Sequence, residues 1–304
     1  MRWQSLHSTR KFGVTVNLEG GVGNQLFQYV AGLALAKQLE CSLTINISRI
    51  ENNRHGGKCI TDFGLESNCR VESVKNSPKI DNRVTRAVRL QMHPMLTSHK
   101  GFFSRHSGFD DVLLRMPRGT QLNGYFQTFR YQELLAANQI DIRDLNLKSP
   151  SILFKSLESQ SKRMLPVVLH IRRGDYLSLT EEFGLLSSKY YREALQRMNA
   201  AFPDKEIWVY SDDFKTAKSV LDELGRGFNF RFMVETARMP APEVLLLLSM
   251  GAAHIIANSS FSWWGASLSR STKAVIAPDP WFRNRPTPEE LIPRDWQIQE
   301  AQWV

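Results

Sequence analysis

Val167-Val168-Leu169-His170-Ile171-Arg172-Arg173-Gly174-Asp175-Tyr176 is the stretch on which the fold turns. It is apolar apart from His170 and then breaks into charge around a glycine. A short apolar run ending in charge reads as a strand covered on both faces, the habit of parallel sheets. Further apolar runs follow at 207–210, 230–234, 254–257 and 274–277, with helical patterns at 189–201, 214–224, 242–251 and 262–269 between them. That alternation predicts a doubly wound α/β domain.

Toward the N-terminus, 151–163 reads as a helix and 141–150 as a polar linker ending in Ser-Pro. Earlier still, a strand at 14–18, a glycine turn at 20–23, a helix at 24–39 and a strand at 41–47 make a β-α-β unit. A strand at 121–126 and a helix at 130–137 follow, while 48–118 is polar and irregular apart from a helix at 82–92. Two α/β domains are therefore expected, spanning 1–150 and 151–304.

The composition, 42% hydrophobic and 23% charged over 304 residues, is that of a soluble globular protein. No apolar run reaches the ~18–20 residues that cross a bilayer. The longest, 244–257, is broken by Ser249, Gly251 and His254, and the polar start is unlike a signal peptide. A cytoplasmic enzyme is expected. Cys41, Cys59 and Cys69 match no zinc spacing and read as reduced thiols. His93, His99 and His106 are too loosely spaced for a helical metal face.

The net charge is +9. Arg83, Arg86 and Arg89 recur every third residue and would form a cationic ridge on a helix. Such a ridge is most often a solvated face; its other use is peripheral contact with an anionic membrane. No RNA- or DNA-binding signature accompanies the charge, so nucleic acid is not an expected partner.

Ligands of an open parallel sheet bind beyond the carboxyl ends of its strands. Polar clusters follow three strands in that place. Arg172 and Arg173 offer planar forks suited to a diphosphate, with Gly174 allowing a tight turn and Asp175 able to orient an arginine or act as a base. Alone, this peptide would read as a surface ion-pair network; its position after a buried strand favours a site. Tyr210-Ser211-Asp212-Asp213 carries adjacent carboxylates, which point in opposite directions on extended backbone and so suit a metal poorly. One could accept from guanine while Ser211 or Asp212 caps the next helix. Asn258-Ser259-Ser260 opens a helix and is suited to an anion, whereas the paired Trp263 and Trp264 read as core.

The turn Gly20-Gly21-Val22-Gly23-Asn24-Gln25 lacks the third glycine of a dinucleotide fingerprint, whose place is taken by Leu26, and it is no P-loop. It remains either a close-approach loop with Asn24 and Gln25 as donors or a plain helix-entry turn.

Taken together, these peptides resemble the α-1,2-fucosyltransferase family. The segment His170–Tyr176 is similar to the diagnostic peptide of α-1,2-, α-1,6- and protein O-fucosyltransferases. Glu19–Tyr29, Tyr210–Asp213 and Asn258–Gly265 are similar to three motifs of the α-1,2 group, in the same order. Gly124-Tyr125-Phe126-Gln127 resembles its bacterial acceptor-domain segment. The resemblance implies a GT-B-like fold with the active site in the cleft between two Rossmann-type domains. It implies GDP-β-L-fucose as donor, inversion onto the 2-hydroxyl of a galactose-terminated glycan, no metal and no cofactor.

It also implies roles: Arg172 on the β-phosphate, His170 with Asp212 and Asp213 on the nucleoside, Ser259 and Ser260 on phosphate, and Asn24 near the diphosphate-sugar. Gly21, Gly23, Gln25, Arg173, Ser211 and Asn258 complete the expected donor contacts. The chain lacks the N-terminal anchor of eukaryotic members, which implies a bacterial enzyme at the cytoplasmic membrane face, in O-antigen or exopolysaccharide assembly. The catalytic base is open between Asp175 and the pair Glu181 and Glu182. Alternatives are an α-1,6- or protein O-fucosyltransferase, a sugar-nucleotide-binding protein without turnover, and a peripheral membrane scaffold.

Overall fold

A computed structural model describes residues 13–51, 59–74, 101–104, 107–174, 176, 180–225 and 227–304. The expected helix at 82–92 with Arg83, Arg86 and Arg89 lies outside the described residues, as do His93, His99, His106 and Asp175. The chain forms two compact units that meet in sequence at Ile142 and Arg143.

The first unit contains β1 (Val14–Asn17), α1 (Val22–Gln38), β2 (Leu43–Asn46), β3 (Cys69–Glu72), β4 (Phe102–Phe103), β5 (Gln121–Asn123) and α2 (Arg130–Ala137). Its sheet runs β3-β2-β1-β5-β4, and each neighbouring pair is parallel. Every residue from 22 to 36 is buried except Asn24. A helix that is apolar nearly all round must be enclosed by its own domain. One polar side chain left outward near its start therefore stands out.

The second unit contains α3 (Ile152–Met164), β6 (Val167–Ile171), α4 (Thr180–Phe183), α5 (Ser188–Ala201), β7 (Ile207–Ser211), α6 (Phe214–Asp222), β8 (Phe230–Phe232), α7 (Ala241–Leu248), β9 (Ala253–Ile255), α8 (Ser260–Ser267), β10 (Val275–Asp279) and β11 (Gln297–Glu300). The sheet order is β11-β10-β9-β6-β7-β8, again parallel at every pairing. All five residues of β6 are buried, as a central strand covered on both faces requires. Leu169, Ile171, Tyr190, Leu195, Val209, Leu221 and Ile255 share the core around it. Trp263 and Trp264 are fully buried and packed edge to face, and Trp263 Nε1 donates to the Leu291 carbonyl at 2.8 Å.

The linker joins the second unit from Arg143 onward, and its contacts explain why. Asp144 pairs with Arg270, and the buried Glu243 carboxylate accepts from Ser151 N at 2.6 Å and Ser151 Oγ at 2.8 Å. Ser151 also caps α3, accepting from Phe154 N at 3.0 Å. The strands that pattern alone did not reveal lie at sheet edges: β4 is only two residues long, and β3 and β11 are largely exposed. Without a buried face the latter two carry no alternation.

Candidate active site

Strand order locates the sites. In the second unit the chain runs β6, β7, β8 in one direction, then returns to place β9 on the other side of β6. The crevice beyond β6 and β9 is thus a topological switch point, where open α/β sheets bind ligands. In the first unit the same reversal falls between β1 and β5. Arg172 and Asn258–Ser260 follow the two strands of the second switch point. The glycine turn and Gly124–Gln127 follow those of the first.

Register explains the charge arrangement in the second unit. Ile171 of β6 lies opposite Ser211 of β7, so the next residues, Arg172 and Asp212, emerge side by side. Arg172 Nη1 meets Asp212 Oδ2 at 3.0 Å, each side chain 23% exposed. Asp212 Oδ1 accepts from Arg173 N at 2.9 Å, so one carboxylate orders the whole turn. Gly174 is required there, because a Cβ would collide with Asp212 Oδ2. On its other side the Arg172 guanidinium lies over the Tyr176 ring, 5.3 Å from its centroid.

The two arginines do different work. Arg173, expected on the donor, is turned inward and 2% exposed, its Nη2 donating to the Leu186 carbonyl at 2.6 Å. Burial pushes the neighbouring Tyr191 hydroxyl up to about 12, with the Arg173 charge opposing that rise. Arg172 alone of the pair faces outward at the switch point.

The acidic pair also divides. Asp213, rather than Ser211 or Asp212, caps α6: it accepts from Thr216 N at 3.1 Å and Thr216 Oγ1 at 2.6 Å. The Thr216 hydroxyl first, then its N–H, hold this carboxyl below the usual range. Ser211 is locked to the Asp213 backbone in both directions. Only Asp212 is directed at the arginines, as adjacent residues on extended backbone require.

His170 is 3% exposed, with its ring centroid 5.8 Å from that of Phe261. Burial, and then the Arg172 charge, push its imidazole down to about 3, so it is neutral at physiological pH. After β9, the buried Asn258 donates from its amide to the Phe183 carbonyl at 2.8 Å and accepts on its backbone oxygen from the Tyr176 hydroxyl at 3.1 Å. It therefore ties β9 to the segment after β6. Ser259 caps α8 by accepting from Phe261 N at 3.3 Å, which leaves Ser260 half-buried at the first turn. Of the acidic alternatives, Glu182 pairs with Arg285 at 3.6 Å, and the Glu181 carbonyl accepts from Asn284.

The first unit's switch point is made of amides. Gln25 is fully buried: its Nε2 donates to the Gly20 carbonyl at 2.9 Å and its Oε1 accepts from Ile60 N at 3.1 Å. It braces the turn and is not presented to a ligand, contrary to expectation. Gly20 has a φ of 76°, and a Cβ there would come within 2.8 Å of Asn24 Nδ2. Asn24 Oδ1 accepts from Gln127 Nε2 at 2.9 Å, which turns the Asn24 NH₂ toward the glycines. A Cβ on Gly21 would meet nothing within 4 Å, so the backbone there is open to close approach.

Sequence reading missed a second layer at this edge. Asn17, Asn46 and Asn123 end or nearly end β1, β2 and β5 and are all buried. Asn46 Nδ2 donates to Asn17 Oδ1 at 2.7 Å, and Asn17 Nδ2 to Asn123 Oδ1 at 3.0 Å. Arg49 Nη2 also donates to Asn123 Oδ1, at 2.9 Å, and Arg49 Nη1 lies 3.8 Å from Glu19 Oε2. Three asparagines at the ends of apolar strands were the available signal. Among the described residues no group of three or more His, Cys, Asp or Glu is placed to hold a metal ion, and no helix is long and apolar enough to cross a membrane.

Comparison with known proteins agrees with this layout. The model of Glycosyl transferase family 11 matches residues 105–298. An alpha-1,2-colitosyltransferase of Escherichia coli is 30% identical over 296 residues, 92% of this chain and 98% of that protein. The O-antigen biosynthesis glycosyltransferase WbnK, also of Escherichia coli, is 26% identical over 87% of this chain and 93% of its own length. The crystal structure of fucosyltransferase NodZ from Bradyrhizobium shares the fold with a TM-score of 0.51 at 13% identity, covering 90% of this chain and 98% of that one. The chain is a glycosyltransferase and belongs to glycosyl transferase family 11.

Proposed function

We propose that the protein is an inverting glycosyltransferase of the GT-B kind that moves L-fucose from GDP-β-L-fucose to the 2-hydroxyl of a galactose residue in a glycan. The observation that carries the reading is Arg172, held by Asp212 at the carboxyl edge of the central strand, beside the start of α8. Cationic donors fixed where charge develops lower a barrier most. In the proposed step the galactose oxygen attacks the anomeric carbon, and the bond from that carbon to the diphosphate oxygen breaks. GDP departs with the electron pair while the hydroxyl proton passes to a base, with Asp175 as first candidate and Glu181 or Glu182 as rivals.

Arg172 and the N–H groups at the first turn of α8, near Ser259 and Ser260, would receive the diphosphate. His170 and Asp212 would meet the nucleoside. Asn24, with the backbone at Gly21 and Gly23, would approach the sugar. Because guanidinium supplies the countercharge, we infer that transfer needs no metal. The similarity to WbnK supports a place in O-antigen assembly.

The similarity to a colitosyltransferase favours a second donor, the GDP derivative of colitose, which lacks fucose's 3-hydroxyl. Purified protein incubated with each GDP-sugar, a galactoside panel and EDTA tests both. An α-1,2-linked product that forms at the same rate with EDTA is expected, and the faster donor identifies the sugar. A 6-linked or protein-linked product, a rate abolished by EDTA, or GDP release without a glycoside product would overturn the reading.

A further inference from the structure

Arg172 stands at one end of an aromatic stack that none of the assigned roles uses. Its guanidinium lies over Tyr176, and the Tyr176 ring stacks on Phe183 with centroids 5.0 Å apart and planes 21° apart. Arg285 lies over Phe183 at 5.4 Å and over Phe282 at 3.8 Å, while Phe282 and Phe183 are 5.9 Å apart. The order is thus arginine, tyrosine, phenylalanine, arginine, with a cation at each end of a stacked pair.

Both ends of the stack are tied down. At the inner end the Tyr176 hydroxyl donates to the Asn258 carbonyl, and the Asn258 amide returns a hydrogen bond to the Phe183 carbonyl. One asparagine therefore ties the Tyr176 hydroxyl and the Phe183 backbone to the end of β9, across the switch point from Arg172. At the outer end Arg285 pairs with Glu182, and Asn284 donates to the Glu181 carbonyl. These contacts join the segment after β10 to α4.

The physical need is clear from the arginine. Its long side chain has many rotamers, and a binding event must overcome the cost of ordering them unless the protein has already done so. Asp212 holds the fork at Nη1, 3.0 Å away. The Tyr176 face beneath the guanidinium sets the plane of the fork through the attraction between cation and ring. Electrostatic stabilisation depends on donors already oriented before charge develops.

We propose that Tyr176, backed by Phe183 and Arg285, is a positioning residue that holds Arg172 in its donor-facing orientation. This rests on the assignment of Arg172 to the donor diphosphate. Tyr176 does not touch the reacting atoms; it acts through the arginine, and its ring matters more than its hydroxyl.

The test measures kcat, donor KM and melting temperature for Tyr176→Leu, Tyr176→Phe and Phe183→Leu. Tyr176→Leu is expected to lower kcat about tenfold, with donor KM changed less than about threefold. Tyr176→Phe is expected to recover most of that loss, and Phe183→Leu, further out, to cost about threefold. If Tyr176→Leu folds poorly, Phe183→Leu carries the test. In an Arg172→Lys background, Tyr176→Leu is expected to cost less than about twofold, because both changes remove one interaction.

Wild-type kcat in a folded Tyr176→Leu or Phe183→Leu, a Phe variant as slow as Leu, or full additivity with Arg172→Lys would overturn the proposal. Slow Arg172→Lys beside an unimpaired Tyr176→Leu would remove the stack alone. Unimpaired Arg172→Lys would remove the donor-site reading with it.

Discussion

The two switch points of this molecule are built on the same topology and furnished with different chemistry. In the second unit the edge carries a guanidinium held by a carboxylate and an aromatic ring, next to a helix start. In the first unit it carries amides: Asn17, Asn46 and Asn123 form a buried layer, with Asn24 and Gln127 above the glycine turn. Fixed cations suit a diphosphate whose charge grows as a bond breaks. Amides, neutral and both donor and acceptor, suit hydroxyl-rich sugar. Topology marks where a ligand sits, and the side chains at that edge decide which ligand.

The comparison predicts unequal losses. Arg172→Ala is expected to slow transfer by about 100- to 1000-fold with an unchanged melting temperature. Near-wild-type turnover would remove the contrast at its charged end.

Acid should separate the two units. Among the described residues both histidines, His170 and His254, belong to the second unit, and both are buried. Burial pushes His170 down to about 3 and His254 down to about 4. Unfolded histidine titrates near ~6.5. Above that pH neither state binds the proton and stability is complete. Below it the unfolded chain takes protons that the fold refuses, so stability falls as pH drops toward about 4 and then about 3. Limited proteolysis at pH 5 should therefore open the second unit first, with a melting temperature several degrees below that at pH 7. Earlier cleavage in the first unit would contradict this.

At the amide edge the expected effects are smaller. Gln127→Ala frees the Asn24 amide to rotate and should cost about tenfold in turnover, comparable with Asn24→Ala, because one hydrogen bond orients one donor. A Gln127 variant with unchanged kinetics would show that Asn24 needs no orientation. Smallest is Asp213→Ala, which removes the α6 cap. A loss of about 1 kcal/mol of stability with unchanged donor KM is expected from calorimetry and kinetics. A raised KM would instead make Asp213 a nucleotide contact.

The central strands of both sheets were legible because an apolar run such as Val167–Ile171 needs no partner to be recognised. The switch-point clusters were legible because polarity begins where those runs stop. What the pattern could not give was direction. Arg172 and Arg173 are chemically alike, yet one faces outward and the other is buried against the Leu186 carbonyl, a choice made by pleat and by Asp212. Gln25 and Asn24 adjoin in sequence, but the helix turn between them buries Gln25 and leaves Asn24 half-buried. Asp213 outcompeted its neighbours as the cap for the same geometric reason. The edge strands β3 and β11 owe their existence to pairing and left no mark in hydrophobic pattern.

Binding of GDP and of guanosine to the wild type and to Arg172→Ala, measured by calorimetry, tests the charged edge most directly. The variant is expected to lose at least tenfold in GDP affinity, by losing a charged hydrogen bond of about 1.5–3 kcal/mol, while guanosine binds equally to both. Equal GDP affinity in the two proteins, or a parallel loss for guanosine, would contradict it.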